Sequence, residues 1–248
     1  MDPSEIRRLT EQEDRHWWFR ERRARLAREL RRLPRPRAGD RALDVGAAGG
    51  GNTRVLAAHG WRALAADLSP EAVAIARSRG LSAVRADARE LPLPSGAFGV
   101  VTALDLLEHV DDDERVVREI ARVLRPGGTA LISVPCDMAL WSAHDEALWH
   151  VRRYDRAGLG AVVERGGLVV DRLWSWNVLL RPVVRWRRGR GGRDDLGPPH
   201  PLVNAALGAV VGAERYLPVA SLPGVSLMLR AHRPHRGNPG DAAAAGTG

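Results

Sequence analysis

The sequence predicts a doubly wound α/β domain, on three observations. Residues 42–56, ALDVGAAGGGNTRVL, read as a short apolar strand, a glycine-rich turn and the start of a helix. That is the nucleotide-binding opening of such sheets. Asp67 closes the next apolar stretch about 20 residues on, the separation at which a carboxylate meets ribose hydroxyls. Strand-like and helix-like segments then keep alternating, and FGVVTAL at 98–104 is the near-continuous apolar run of a parallel strand covered on both faces.

Each element follows from its residues. Residues 1–39 form an N-terminal helical cap. Leu26, Leu30 and Leu33 make its apolar stripe, Pro34 and Pro36 end it, and the aromatic cluster His16-Trp17-Trp18-Phe19 precedes it. The cap either packs on the domain edge or closes over the mouth of the site; its arginines read as a solvated face. Strand one is 42–45, helix one 52–59 and strand two 62–66. Asp67 then accepts from ribose or caps the helix that Ser69-Pro70-Glu71 begin. Helix two runs over 70–79, Gly80 ends it, and strand three is 82–85. Asp87 can accept from an adenine amino group. Strand four ends at Asp105-Leu106-Leu107-Glu108-His109. A helix over 114–124 stops at Arg125-Pro126-Gly127-Gly128, ahead of strand five at 129–134. A helix from Tyr154 to about Arg165 and strand six at 168–173 follow. An insertion over about 174–222 interleaves Trp174, Trp176 and Trp186 with apolar residues; it carries an Arg-, Gly- and Pro-rich mobile loop at 187–201 and an apolar helix at 202–216. The last strand is 224–231, within a domain spanning 40–233, and 234–248 is read as a disordered tail.

Composition bounds the chemistry. The chain has 248 residues, 44% hydrophobic and 27% charged, as a folded globular domain does. Its net charge is +8, and all 38 basic residues are arginine. The absence of lysine excludes a P-loop lysine, a Schiff base and a Tyr-x-x-x-Lys dehydrogenase pair. The single cysteine, Cys136, excludes an internal disulfide and a cysteine metal cluster. The polar start and the lack of any apolar run near 20 residues lead us to expect a cytoplasmic protein.

Several motifs stand in register over about residues 41–136: LDVGAAGGG, AADLS, ADARELPLPSGAF, LEHV and REIARVLRPGGTALISVP. Together they resemble the class I S-adenosylmethionine-dependent methyltransferases. HWWFRERR and HVRRYDRAGL resemble a bacterial, methyltransferase type 11-like branch of that family, often of unknown substrate. The resemblance implies a Rossmann-like, mostly parallel seven-stranded sheet with an antiparallel edge strand. It implies S-adenosylmethionine as cofactor and S-adenosylhomocysteine as product. Asp44, Gly46, Ala48 and Gly50 would cradle the methionine moiety, Asp67 would hold the ribose, and Leu68 would pack on adenine. Asp87 and Ala88 would read the adenine edge, and Asp105 would lie near the methionine end. Two positions depart from the family pattern: Ala48 replaces the middle glycine of the turn, and Phe98-Gly99 replaces Phe-Asp.

The expected function is methyl transfer to a small-molecule acceptor, with oxygen as the nucleophile. A protonated oxygen needs a base. Without lysine the candidates are His150 and His109, near the mouths of strands five and four. Trp18, His144, Trp149, Arg153 and Tyr154 are the substrate candidates. His144, Asp145, Glu146 and His150 have ligand chemistry, but their spacing matches no metal pattern, so no metal is expected. Pro135-Cys136 follows strand five, not strand four where a cytosine-5 methyltransferase carries it, and no Asn/Asp-Pro-Pro-Tyr signature follows strand four. Nucleic acid is therefore the lesser enzymatic alternative, and a non-catalytic cofactor-binding module is the alternative from another class. Residues 174–216 read as a substrate cover or as a surface touching a membrane or a lipid-linked substrate.

Overall fold

A computed structural model describes residues 3–188 and 199–235. The elements, in chain order, are α1 (Pro3–Gln12), α2 (Trp17–Leu30), β1 (Arg41–Val45), α3 (Gly51–Ala58), β2 (Arg62–Asp67), α4 (Pro70–Ser78), β3 (Ser82–Arg85) and β4 (Phe98–Leu104). They continue with α5 (Asp113–Val123), β5 (Leu124–Pro135), α6 (Ala143–Ala147), α7 (Arg156–Arg165), β6 (Val169–Trp176), α8 (Arg181–Arg188), α9 (Pro201–Ala213) and β7 (Ser226–His232). The seven strands form one sheet in the order β3-β2-β1-β4-β5-β7-β6. β3 to β5 run parallel, and β7 is antiparallel to both β5 and β6.

The two faces of the sheet follow from alternation along each strand. Leu43, Val45, Val101, Ala103, Ile132 and Val134 share a core with Val116, Val117 and Ile120 of α5 and Leu159 and Val163 of α7. Ala42, Val100, Leu104 and Leu131 face the other way, onto Leu26 and Leu30 of α2, Leu56 of α3 and Val211 of α9. β4 is buried along its whole length, as its continuous apolar run requires. α5 is capped by Asp112, whose carboxylate accepts from Arg115 N, and α4 by Ser69, which accepts from Ala72 N.

The structure corrects the sequence reading in several places. The last strand is not itself the margin of the sheet: β7 inserts between β5 and β6, and β6 forms the edge. Trp174 and Trp176 belong to β6, not to the insertion, because both are buried against α2. The cluster Trp17-Trp18-Phe19 opens α2 rather than preceding it, with His16 as its N-cap. The basic face of the cap is solvated only in part: Arg20, Arg31 and Arg32 are exposed, but others turn inward. The Arg25 guanidinium is buried, donates to Val211 O and Glu214 and lies over the Trp176 ring, while Arg22 donates to Asp105. Arg125-Pro126-Gly127-Gly128 lies inside β5, at a register shift against β4. Gly99 is where a side chain has no room: a Cβ there would meet the Trp61 ring at 2.8 Å. Most of the loop at 187–201 and of the tail at 234–248 lies outside the described residues.

Candidate active site

The carboxyl ends of β1, β2, β3 and β4 open into one cleft of about 1190 Å³. Ligand pockets commonly occupy roughly 300–1,000 Å³, so this cleft has room for two small ligands end to end. Its wall passes from the glycine turn and Asp67, through Asp105, to an aromatic and histidine-rich chamber under α2, α8 and α9. Such a crevice at the strand ends is where doubly wound sheets hold ligands.

The glycine turn is built from left-handed backbone. Gly46 has φ +70°, Ala48 φ +45° and Gly50 φ +82°. Only Ala48 among these carries a Cβ, which makes it a strained position in the loop. The other glycines are demanded by the protein's own N-terminal segment. A Cβ at Gly49 would meet Thr10 at 2.5 Å, and one at Gly51 would meet Glu13 at 2.5 Å. Ile6, Thr10, Glu13 and His16 also line the cleft. The cap therefore packs on the domain and walls the site at once.

Asp67 ends β2 at the cleft. Its Oδ2 accepts from Ala48 N at 2.8 Å and its Oδ1 from Ser69 N at 2.9 Å. One lone pair on each oxygen remains for a vicinal diol. Burial pushes its carboxyl above the usual range, against those two hydrogen bonds. Leu68 beside it is 58% exposed at the cleft, an apolar face next to a diol acceptor. Asp87 and Ala88 line the same end. Both Asp87 oxygens also engage Arg89, at 2.7 Å for Oδ2 to Nη2.

Asp105 lies at the mouth of β4 with φ +57°. Its carboxylate accepts from Arg22 of α2, and its backbone N donates to Ser133 O at 2.8 Å. A non-glycine residue in this conformation at a strand end is strain held by its surroundings. Beyond it stand His109 and His150, rings edge to face with centroids 4.8 Å apart. Burial and the neighbouring His150 lower His109 to about 4, so its imidazole is neutral. His150 Nδ1 lies 2.9 Å from Asp145 Oδ1. Burial opposes the charge on Asp145, but hydrogen bonds from His150 and Arg153 outweigh it and hold the carboxyl well below its ordinary range. With Asp145 ionised, Nδ1 is the nitrogen that donates, which leaves Nε2 facing away from Asp145.

Of the residues chosen from sequence, Gly46, Ala48, Asp67, Leu68, Asp87, Ala88, Asp105, His109, His150, Trp18, His144, Trp149 and Arg153 line the cleft. Three do not. Asp44 lies beneath the turn, its oxygens accepting from Thr53 and Thr102 at 2.7 Å each. Gly50 supplies left-handed backbone rather than a wall. Tyr154 is buried, its hydroxyl donating to Asp113 at 2.6 Å, and burial plus that bond raise its pKa. Arg153 lines the cleft with its guanidinium committed to Asp145 and Cys136 O. The Arg of HVRRYD is thus a brace for Asp145, for which the sequence carries no signal beyond proximity. Sequence reasoning also missed Arg22, which read as one of many solvated arginines, and Glu108, which entered only as a residue after strand four within the LEHV motif.

The fold and cleft define a nucleoside-binding doubly wound domain, and comparison with known proteins makes the class specific. Residues 43–132 match a family model described as a methyltransferase domain. A ubiquinone biosynthesis O-methyltransferase of Xanthomonas oryzae pv. oryzae is 41% identical over 103 residues, covering 39% of this chain and 43% of that protein. This chain therefore spans less than half the length of the curated relatives it matches. Among solved structures, a Haloferax volcanii chain from a complex with a methyltransferase activator has TM-score 0.64 and 23% identity, over 95% of this chain and 96% of that one. A Haemonchus contortus phosphoethanolamine N-methyltransferase 2, in complex with S-adenosyl-L-methionine, has TM-score 0.60 and 20% identity, over 86% and 53%. The matched stretch, residues 43–132, is a methyltransferase domain, and the chain shares its fold with those solved structures.

Proposed function

We propose that this chain transfers the methyl group of S-adenosylmethionine to an oxygen of a small-molecule acceptor. One observation carries the reading: the cleft runs unbroken from a diol-accepting carboxylate, Asp67, to a chamber holding two neutral-capable imidazoles. The residues fit the cofactor. Asp67 keeps free acceptor capacity for the ribose, Leu68 offers an exposed apolar face for adenine, and Ala88 lies beside it. Asp105, held by Arg22, sets a negative charge where the aminobutyrate or sulfonium end would lie. When bound, the sulfonium supplies an already activated methyl group, so the protein's task is alignment.

The acceptor end is lined by Trp17, Trp18, Phe19, Leu148, Leu180 and Leu207. These favour an apolar or aromatic acceptor and exclude water around the methyl path. His109, His150 and Glu108 are the groups placed to deal with the acceptor proton. The curated relative's name supports an oxygen acceptor. The arginines speak less for nucleic acid than their number suggests, since Arg22, Arg25, Arg28 and Arg79 are committed to internal partners. Calorimetry with S-adenosylhomocysteine is the test. We expect micromolar binding, weakened at least tenfold, about 1.4 kcal/mol, by Asp67→Ala. No binding by the wild-type chain overturns the reading, and binding without turnover on an acceptor panel favours the non-catalytic module.

A second reading concerns the same acceptor. Trp186, Leu202, Val203, Val210 and Tyr216 are exposed on and after α8 and α9, and α8 also presents Arg185 and Arg187. Among the described residues no helix is long and apolar enough to cross a membrane. An amphipathic surface of this kind favours contact with a bilayer face or a lipid-linked acceptor. Co-sedimentation with anionic liposomes, lost on Trp186→Ser with Leu202→Ser, checks it; recovery of all the wild-type chain in the supernatant refutes it.

A further inference from the structure

Asn177 is a buried polar side chain that the fold alone does not account for. It follows β6 in the left-handed region, with φ +56°, a conformation that asparagine tolerates better than most residues. Its backbone is tied on both sides: its N donates to Glu214 at 2.8 Å, and its O accepts from Val225 N at 3.3 Å. Its side chain is not tied. Asn177 is 2% exposed and lines the cleft, yet no other described residue hydrogen-bonds its amide oxygen. A buried acceptor left unmet costs about 1–3 kcal/mol, so the polypeptide carries a vacancy that something else fills. Ser226 stands beside it. It pairs with Trp176 across β6 and β7, is 3% exposed and lines the same cleft. Around this polar pair the wall is apolar, from Pro135, Leu180 and Val225.

The sheet supplies a ruler. Pro135 pairs with Ser226, and Ser226 with Trp176, so the ends of β5, β7 and β6 share the rim on which Asp105 closes β4. In the order β4-β5-β7-β6, Ser226 is two strands from Asp105 and Asn177 is three. Strands lie about 4.8 Å apart, which puts the pair roughly 10–14 Å from the rim of β4. That rim is where the methyl group would be delivered.

We propose that Asn177 and Ser226 form a distal subsite for the acceptor, reading a hydroxyl at the opposite end of an elongated aromatic body from the oxygen that is methylated. Neither side chain carries charge, which matches a neutral group. A half-turn of the amide exchanges its oxygen and its NH2, and the serine hydroxyl donates and accepts, so the pair meets both needs of a hydroxyl. A site built to hydrogen-bond a substrate hydroxyl rejects the analogue without it, because the site's own polar groups are then stranded. Asn177 and Ser226 therefore select the acceptor, and Glu214, held by Arg25, fixes where Asn177 stands. The subsite deepens the methyl-transfer reading. It rests on that reading for calling its occupant the acceptor, but not for the binding itself.

Biphenyl with a hydroxyl at each para end is the probe, and para-phenylphenol is the same body with one hydroxyl. Both are titrated into the full chain, with and without S-adenosylhomocysteine, by calorimetry and tryptophan fluorescence. We expect the diol to bind at least tenfold more tightly. Asn177→Gly removes the amide without straining the left-handed backbone. That variant and Ser226→Ala each cut the preference at least threefold, and the double variant abolishes it with para-phenylphenol affinity unchanged. An asparagine kept only for its backbone conformation leaves the preference intact in Asn177→Gly. Far-ultraviolet dichroism and S-adenosylhomocysteine binding show that each variant is folded. Equal affinity for the two probes means that water alone satisfies Asn177 and overturns the subsite. So does failure of both probes to bind, or an undiminished preference in the folded double variant. If the diol is preferred and S-adenosylhomocysteine does not bind, the subsite stands and the methyl-transfer reading falls.

Discussion

Asp44 carries a charge beneath the glycine turn that the fold tolerates at a cost, and pH exposes that cost. Its carboxyl is buried and raised to about 6 by desolvation, which the hydrogen bonds from Thr102 and Thr53 offset only in part. An unfolded aspartate titrates near 3.9. Between those two values the folded chain holds a proton that the unfolded chain has lost. Stability from this group is thus fully present below about pH 4 and is lost as pH rises through about 6. The gap of roughly two pH units is worth about 3 kcal/mol. Asp44→Asn removes the titration and keeps the shape. Its carbonyl accepts from one threonine hydroxyl, and its amide donates to the other, which turns towards Leu43 O. Urea denaturation of both proteins from pH 4 to 7.5 checks this, because the other ionisations cancel in the difference. The wild type is expected to lose about 3 kcal/mol relative to Asp44→Asn over that range. A difference independent of pH refutes the assignment.

Two further substitutions probe other joints. Glu214 accepts from Arg25 Nη2 at 3.1 Å and from Asn177 N and Leu179 N at 2.8 Å each. Glu214→Ala strands a buried guanidinium and two amides and is expected to destabilise by about 3–5 kcal/mol in denaturant titration; a loss under 1 kcal/mol contradicts the burial argument. Ala48→Gly relieves a left-handed alanine at φ +45°. That relief, of roughly 1–2 kcal/mol, exceeds the added chain entropy of glycine. The variant should gain up to about 1 kcal/mol and bind S-adenosylhomocysteine at least as tightly, by thermal shift and calorimetry.

The sheet was legible because its signals are local. β3 and β4 fall on the residues read from sequence, since a continuous apolar run and a glycine-to-strand transition are decided within a few positions. Asp67 and Asp105 were legible as acids at strand ends, which is where doubly wound sheets bind ligands. What failed depended on distant partners. The arginines of α2 look solvated by helical periodicity, and only the position of Glu214, about 190 residues on, shows that Arg25 is buried. Glu108 sits in an acidic stretch whose charge suggests solvent, yet a tight turn after β4 aims it inward. The grouping of Glu108, His109 and His150 needs β4 and the segment after β5 to be side by side, which parallel pairing fixes and sequence spacing does not. Tyr154 and Arg153 had aromatic and basic character suited to a substrate, but that character serves Asp113 and Asp145 instead.

The buried pair between α2 and the end of α9 has a meaning for how such a chain can be rebuilt. Arg25 and Glu214 stand at opposite ends of the sequence, outside the stretch matched as a methyltransferase domain, yet each is sealed against the other between α2 and the end of α9. Neither segment is a module by itself. A chimera that transplants only the leading helices, or only the late insertion, buries one charge without its mate. A graft intended to change which acceptor is methylated must carry both, as a single lock cut into two pieces by the chain.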